Sequence, residues 1–375
     1  MTIFDEEHRT ELYMEAEAAL LRHGGNKAAA ARELGIPVTT LKGRLSAWGD
    51  TRSPNATVTG RSTLYRSEED GKVLLTWVKE KFNPSKDALL NAIKEEFDEY
   101  CGYAGSGWEL TVETPDERLL NIYPIADHHL GMFSWGAETG TDYDLSIAKS
   151  ILLGTAERLI RRSPAAKTAL LLNVGDFFHS NDNSARTEMH GNQLDTDNRY
   201  AKVLRLGVAL HLAMIDMLLD KHEKVIVAVL PGNHDEYAAI ALTVALEAFY
   251  HDNPRVHVVN SPEPFFWFVF GKVFIAATHG HMVKPKDFPG FMAAYKPQEW
   301  GVTEFRYAYF GHIHHRELGG GDAYGVMTET FRTLAPPDAY HHAMGYANGR
   351  SILCITHDRE GGEVARTVEN IRRRE

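Results

Sequence analysis

The sequence predicts an α/β protein carrying a small all-α unit at its N-terminus. Two observations predict the α/β class. From Leu119 onward, short apolar runs of strand length alternate with longer stretches whose apolar residues recur at helical spacing. Several of those runs end in a tight cluster of Asp, Asn, His and Gly, the place where α/β proteins put functional groups. A third observation sets the N-terminus apart: two alanine- and leucine-rich helical stretches there are joined by Gly-Ile-Pro.

Composition narrows the classes. The 375 residues exceed one average domain of roughly 100–200 residues. Hydrophobic residues make up 43% and charged residues 24%, as in ordinary globular proteins. No apolar run approaches the ~20 residues that a membrane-spanning helix needs. The start, Met-Thr-Ile-Phe-Asp-Glu-Glu, is too acidic for a secretory signal. Cys101 and Cys354 make no disulfide framework, and no acid–base partner flanks either, so both read as small packing residues. A reducing cytoplasm is expected. The net charge of −11 confines any nucleic-acid contact to a local basic patch.

Residues 1–52 read as the first domain. Apolar positions between Glu11 and Arg22 repeat as in a helix, and Gly24-Gly25 stops it. Asn26 is a good cap for a second helix, Lys27 to Leu34, which Gly35 ends. Thr39 or Thr40 is placed to cap a third helix running to Trp48. Between Arg22 and Arg61 stand seven basic residues against two acidic ones, a positive patch in an acidic protein. The wording Gly25-Asn26-Lys27-Ala28-Ala29-Ala30-Ala31-Arg32-Glu33-Leu34-Gly35-Ile36, then Thr40-Leu41-Lys42-Gly43-Arg44-Leu45, resembles the Fis-type DNA-binding helix-turn-helix. That resemblance implies that Thr39, Thr40, Lys42 and Arg44 contact DNA and that two copies act on paired half-sites. Gly43 departs from it, costing about 1 kcal/mol against Ala inside the presumed recognition helix. A helical bundle used for dimerisation is the other reading of these residues.

Residues 53–117 read as a connector. Ser53 to Gly60 has linker composition, and Glu69-Asp70-Gly71 is a hairpin turn between two short strands in Leu64–Val78. Ser85 is placed to cap a helix from Lys86 to about Tyr100. No chemistry is evident there.

Residues 118–375 form the third region. Strands are expected at 119–126, 169–174, 225–230, 265–270, 273–277 and 307–310, with a further strand through 351–355. Helices are expected at 146–162 and 195–221. The polar clusters follow in order: Asp127-His128-His129, Gly175-Asp176, Gly232-Asn233-His234-Asp235, His279-Gly280-His281 and Gly311-His312-Ile313-His314. Strand alternation puts Asp127 and His129 on one face and His128 on the other; His312 and His314 pair likewise, away from His315.

This block order resembles the calcineurin-like metallophosphoesterases, over residues 118–360. The resemblance implies a sandwich of mostly parallel or mixed sheets flanked by helices. It also implies two divalent cations, because phosphoester hydrolysis needs charge neutralisation at both attacking and leaving oxygens. Carboxylate, imidazole and amide donors without thiolate suit Mn²⁺ best, with Fe or Zn²⁺ as alternatives. By the resemblance, Asp127, His129 and His314 hold one cation, Asn233, His279 and His312 the other, and Asp176 bridges them. His234 is left to protonate the leaving oxygen, with Asp235 orienting its ring. His179 is either a phosphate contact or a support for ligands, and His281 a support. His190, His341 and His342 line the cleft or lie on the surface. The polar segments Asn181–Asn183 and Asn192–Asp197 are either a substrate-facing loop or solvated surface.

Three functions follow. The first is a DNA-directed phosphodiesterase or nuclease, in the manner of the SbcD-type repair exonucleases, delivered by the helix-turn-helix. The second is a small-molecule phosphodiesterase or phosphatase whose N-terminal domain serves oligomerisation or recruitment. The third is a DNA-binding regulator with an idle hydrolase, which the complete set of ligand residues disfavours. A membrane partner is not expected; the helix-turn-helix is compatible with a homodimer.

Overall fold

The computed structural model describes residues 15–16, 18–20, 22–23, 26–41, 56–65, 73–82, 97, 100, 102, 114–187, 191–197, 199–318, 324–345 and 348–372. The chain divides into two compact units, Met1–Asn91 and Ala92–Glu375.

In the first unit, residues 15–16, 18–20 and 22 are helical, and helix α1 spans Lys27–Glu33. Asn26 caps α1 as expected, its side-chain oxygen accepting the N–H groups of Ala28 and Ala29. Ala16, Ala19, Ala30, Ala31 and Leu41 make a small buried core in which alanines let the helices approach closely. The third helix begins at Val38, so Thr39 and Thr40 lie inside its first turn and are exposed rather than capping it. Arg22 donates to Glu33 at 2.9 Å, so its charge is partly spent within the unit rather than added to a basic patch. Strand β1 (Ala56–Tyr65) pairs antiparallel with β2 (Val73–Phe82). The hairpin was anticipated, but its strands are ten residues each and absorb part of the segment read as linker. Of the helix expected from Lys86, only Phe97 and Tyr100 fall among the described residues.

The second unit is built on two mixed sheets. One has the order β13-β12-β3-β4-β5-β6, the other β10-β11-β9-β8-β7. In the first, β3 (Asp116–Ile125), β4 (Ala166–Asn173), β5 (Lys224–Val229) and β6 (Val256–Val259) run parallel. Helices α2 (Leu145–Arg162), α3 (Tyr200–Lys221) and α4 (Glu236–Tyr250) connect them. In the second sheet, β7 (Phe266–Phe270) and β8 (Val273–Ala277) form the expected hairpin. Helices α5 (Phe288–Tyr295) and α6 (Pro297–Val302) lead to β9 (Phe305–Phe310), and β10 (Glu317–Leu318) and β11 (Val326–Thr330) follow. Helix α7 (Ala339–Ala343) then precedes β12 (Ser351–Asp358) and β13 (Gly362–Asn370), which return antiparallel to the edge of the first sheet.

The sheets lie face to face. Leu120, Ile122, Leu170 and Leu172 of the first meet Val273, Ile275, Tyr307 and Tyr309 of the second in one buried cluster. The intervening residues point to the helices instead: Tyr123 reaches His222 at the end of α3, its hydroxyl 3.0 Å from Nε2. On the outer face of the second sheet, Phe274, Ala276, Ala308 and Phe310 pack on Phe288 and Met292 of α5. The order is helices, sheet, sheet, helices. Strands buried on both faces explain the continuous apolar runs.

One helix boundary differs from expectation. Helix α3 starts at Tyr200 rather than Asp195, because residues 191–197 form a loop whose Asp197 carboxylate accepts the N–H of Leu145 at the start of α2. Asn183 accepts the N–H of Tyr200, and Asn181 accepts those of Tyr237 and Ala238. These two amides satisfy the exposed N–H groups of α3 and α4. Both side chains therefore act as helix caps.

Candidate metal centre

Five of the clusters converge where the parallel strands of both sheets end. Asp127 and His129 follow β3, Asp176 follows β4, Asn233 and His234 follow β5, His279 follows β8, and His312 and His314 follow β9. Expectation paired Asp127 with His129, and His312 with His314, by strand alternation. The structure pairs them for a different reason. All four lie beyond their strands, and they share left-handed backbone with Asp176: φ is 50° at Asp127, 49° at His129, 52° at Asp176, 72° at His312 and 57° at His314. Non-glycine residues there are strained, and such strain concentrates at functional sites.

Backbone bonds hold these loops together. Asp127 N donates to Gly175 O (3.2 Å), His129 N to Asp176 O (3.0 Å) and Leu130 N to Phe177 O (2.7 Å), extending the β3–β4 pairing past the strands. The N–H of His312 donates to the Asp127 carboxylate at 3.0 Å, and that of His234 to Asp176 Oδ1 at 2.8 Å. Two glycines permit the approach. A Cβ on Gly232 would lie 2.0 Å from Asp176 Oδ1, and one on Gly311 would lie 2.8 Å from Asp127 Oδ2.

The donor atoms form two sets, Asp127/His129/His314 and Asp176/His279/His312, each with its atoms within 4.8 Å of one another. In the first, His129 Nε2 is 3.1 Å from His314 Nε2, which is 3.3 Å from Asp127 Oδ1. In the second, His279 Nε2 is 3.0 Å from Asp176 Oδ2 and 3.1 Å from Asn233 Oδ1. Ligands at about 2.1 Å around one cation are separated by about 3.0–3.4 Å, so these spacings fit. His/Asp groups so placed could hold a metal ion. His279 Nδ1 meets Val174 O at 2.9 Å, which fixes its tautomer and leaves Nε2 for the site.

A third set joins His129, His179 and His234. His129 Nδ1 is 3.1 Å from His179 Nδ1, and the His179 ring stacks on His234 at 5.4 Å. His179 therefore backs His129 and His234 at once. Its buried Nε2 has no hydrogen-bond partner among the described residues.

Charge is distributed accordingly. Burial, then the neighbouring His314 and His234, hold His129 neutral, its pKa well below the ordinary imidazole value. Burial also depresses His179, to about 3, and His281, to about 4. Burial opposes ionisation of Asp176, but the adjacent His279 wins and keeps it ionised. Burial likewise opposes charge on His279, and the Asp176 carboxylate overrides it, raising the pKa to about 10. His314 is raised by Asp127 against burial, while burial and then His279 lower His312.

Asp235 departs from its expected role. Its buried carboxylate accepts three backbone N–H groups, from Asp176 (3.1 Å), Phe178 (3.1 Å) and Gly232 (2.8 Å). It staples the β4 and β5 loops. The ring of His234 is oriented instead by its Nδ1–H donating to the carbonyl of His179 at 3.0 Å. A carbonyl can only accept, so Nε2 is the exchangeable position of His234.

His128 is fully buried against Phe177, and His315 is exposed with its ring on the carbonyl of Ile313. His281 lies with its ring 5.3 Å from His279. His342 is exposed, and His190 lies outside the described residues, as do Lys42 and Arg44. Sequence reasoning passed over Thr333, whose hydroxyl donates to the carbonyl of Asp127, and left His341 open. His341 stacks on His314 at 5.1 Å, held by Asp338 Oδ1 at 2.7 Å from its Nδ1. The Asp-x-x-His spacing after Pro336-Pro337 was the available signal. His312, His314, Thr333 and His341 line a cleft of about 280 Å³.

Residues 16–48 match the helix-turn-helix of the bacterial regulatory protein, Fis family. No curated protein matches the chain. No described helix is long and apolar enough to cross a membrane.

Proposed function

We propose that the chain is a dinuclear metal-dependent phosphodiesterase of the calcineurin-like metallophosphoesterase kind, acting on DNA to which its Fis-type helix-turn-helix binds. The convergence of two His/Asp donor sets on left-handed backbone at the strand ends carries this reading. Asp127, His129 and His314 would hold one cation, and Asn233, His279 and His312 the other, with Asp176 between them. Two such cations, Mn²⁺ in the first instance, activate water and neutralise the phosphate oxygens when bound. His129 and His279 present Nε2 while their Nδ1 atoms are committed to His179 and Val174. His234, fixed through Nδ1 by the His179 carbonyl, delivers a proton from Nε2 to the leaving oxygen. Asp235 positions Asp176 and Gly232 for that arrangement.

A second reading, a small-molecule phosphodiesterase recruited through its N-terminal domain, is favoured by the size of the cleft, about 280 Å³. One experiment separates them: a panel of double-stranded, single-stranded and nicked DNA beside bis-p-nitrophenyl phosphate, under metal replacement. Mn²⁺-dependent DNA cleavage, lost by about 10²–10⁴-fold in His234→Ala with metal content retained, is the expected result. Intact DNA with hydrolysed bis-p-nitrophenyl phosphate selects the second reading. No hydrolysis of either with metal bound ends both.

A further inference from the structure

Beside the centre lies a feature that this chemistry does not use. Phe133, Trp135 and Tyr340 are large aromatics left 44%, 59% and 67% exposed. Their backbones are firmly held. Ser134, between the first two, is buried, and its hydroxyl reaches Thr139 at 2.7 Å and the carbonyl of Pro337 at 3.1 Å. Phe133 N donates to Asp195 O at 2.9 Å. The Ser134–Pro337 contact brings the 133–135 turn up to the segment leading into α7. Phe133, Trp135, Glu138, Asp195 and Ala339 line one cavity of about 410 Å³. Tyr340 then meets His341 edge-on at 5.5 Å, and His341 stacks on His314. Tyr340, next in the chain to the cavity-lining Ala339, thus reaches a candidate metal ligand through two ring contacts.

We propose that Phe133, Trp135 and Tyr340 form a ledge on which a nucleobase next to the scissile phosphate stacks. This rests on the phosphodiesterase reading above and names what its substrate must carry. Rigidly mounted aromatics in water beside a phosphoester centre suit stacking, which every base permits and which needs no sequence preference. The charged groups beside them choose the occupant. Glu138 and Asp195 repel a phosphate, whereas carboxylates accept the exocyclic N–H groups of base edges. The ledge therefore holds a base, and the phosphate lies toward His314. Because the base must leave its own duplex to stack, the preferred substrate is single-stranded or an unpaired end.

The test compares kcat/KM for a single-stranded oligonucleotide with that for its abasic counterpart, in the full chain with Mn²⁺. Wild type is expected to prefer the base-bearing strand by about tenfold. In Trp135→Ala/Tyr340→Ala that ratio collapses to near one, and in Trp135→Phe/Tyr340→Phe it is restored. DNA cleavage with a wild-type ratio near one overturns the ledge and leaves the phosphodiesterase reading standing. A ratio unchanged in the double alanine variant overturns it equally, and assigns the exposed rings to another occupant such as a second copy of the chain. Intact oligonucleotides with hydrolysed bis-p-nitrophenyl phosphate overturn the ledge together with the nucleic-acid reading.

Discussion

Replacing Asp235 with Ala separates two accounts of the Gly232-Asn233-His234-Asp235 turn. The carboxylate accepts three buried N–H groups, from Asp176, Phe178 and Gly232. Each N–H left without an acceptor costs about 1–3 kcal/mol, so the loss is about 6 kcal/mol at mid-range. Part of this is offset. Burial first, and the neighbouring Asp176 second, raise the Asp235 pKa to about 6. Against the ordinary carboxylate value, keeping the charged form in the fold costs about 3 kcal/mol, which Ala removes. The net destabilisation is about 3 kcal/mol at pH 7. Urea unfolding at pH 7 should show it as a lower midpoint with unchanged slope. Metal affinity should fall too, because Asp176 loses its anchor to the neighbouring loop. Asp235→Asn retains an acceptor for Asp176 and Gly232 and should cost about half as much. The reasoning is refuted if Asp235→Ala unfolds at the wild-type midpoint, binds metal normally and changes only the pH profile of turnover. Asp235 would then act on His234, as the motif by itself suggests.

Other predictions follow from the same geometry. Gly232→Ala places a methyl 2.0 Å from Asp176 Oδ1, so metal content after dialysis should drop by about 10–100-fold in a protein that still folds; wild-type stoichiometry would contradict the close packing. His211, His222 and His357 are buried away from the donors, and burial chiefly lowers their pKa values to about 4, 4 and 3. Their folded pKa values lie below the unfolded value, so the stability they confer is complete above pH ~6.5 and is lost as pH falls toward 4. At pH 5 the loss is about 2 kcal/mol per histidine, and equal melting temperatures at pH 7 and pH 5 would refute the assignment. Lys42→Ala/Arg44→Ala should reduce the slope of log affinity for DNA against log salt by about 2; an unchanged slope removes both residues from the DNA contact.

Much of this architecture was legible because strands buried on both faces write continuous apolar runs. The 166–173 and 224–229 strands, and the 266–270/273–277 hairpin, lie within a few residues of expectation. The start of α3 was misread. The Asp195–Arg199 segment looks helical by composition, but Asp197 is drawn off to cap α2. The polar loop at Asn181–Asn183 was equally opaque, since an amide that caps a distant helix and one that faces substrate carry the same letters.

The site divides in the same way. The sequence by itself determined which residue types stand at the strand ends, and hence that Asp127, His129, Asp176, Asn233, His279, His312 and His314 are candidate donors. It also determined the helix-turn-helix match, because capping and short-range apolar spacing are local. Only the tertiary structure decided how those donors meet. The left-handed turns that aim Asp127, His129, Asp176, His312 and His314 are imposed by loops packing across two sheets, not by strand alternation. It also decided that His179 backs His234 through its carbonyl, that Asp235 holds loops rather than a ring, and that His341 joins from a helix far along the chain. These include contacts between residues 55 to 206 positions apart, and side-chain spacing along a chain carries no information about pairs that only folding brings into hydrogen-bond range.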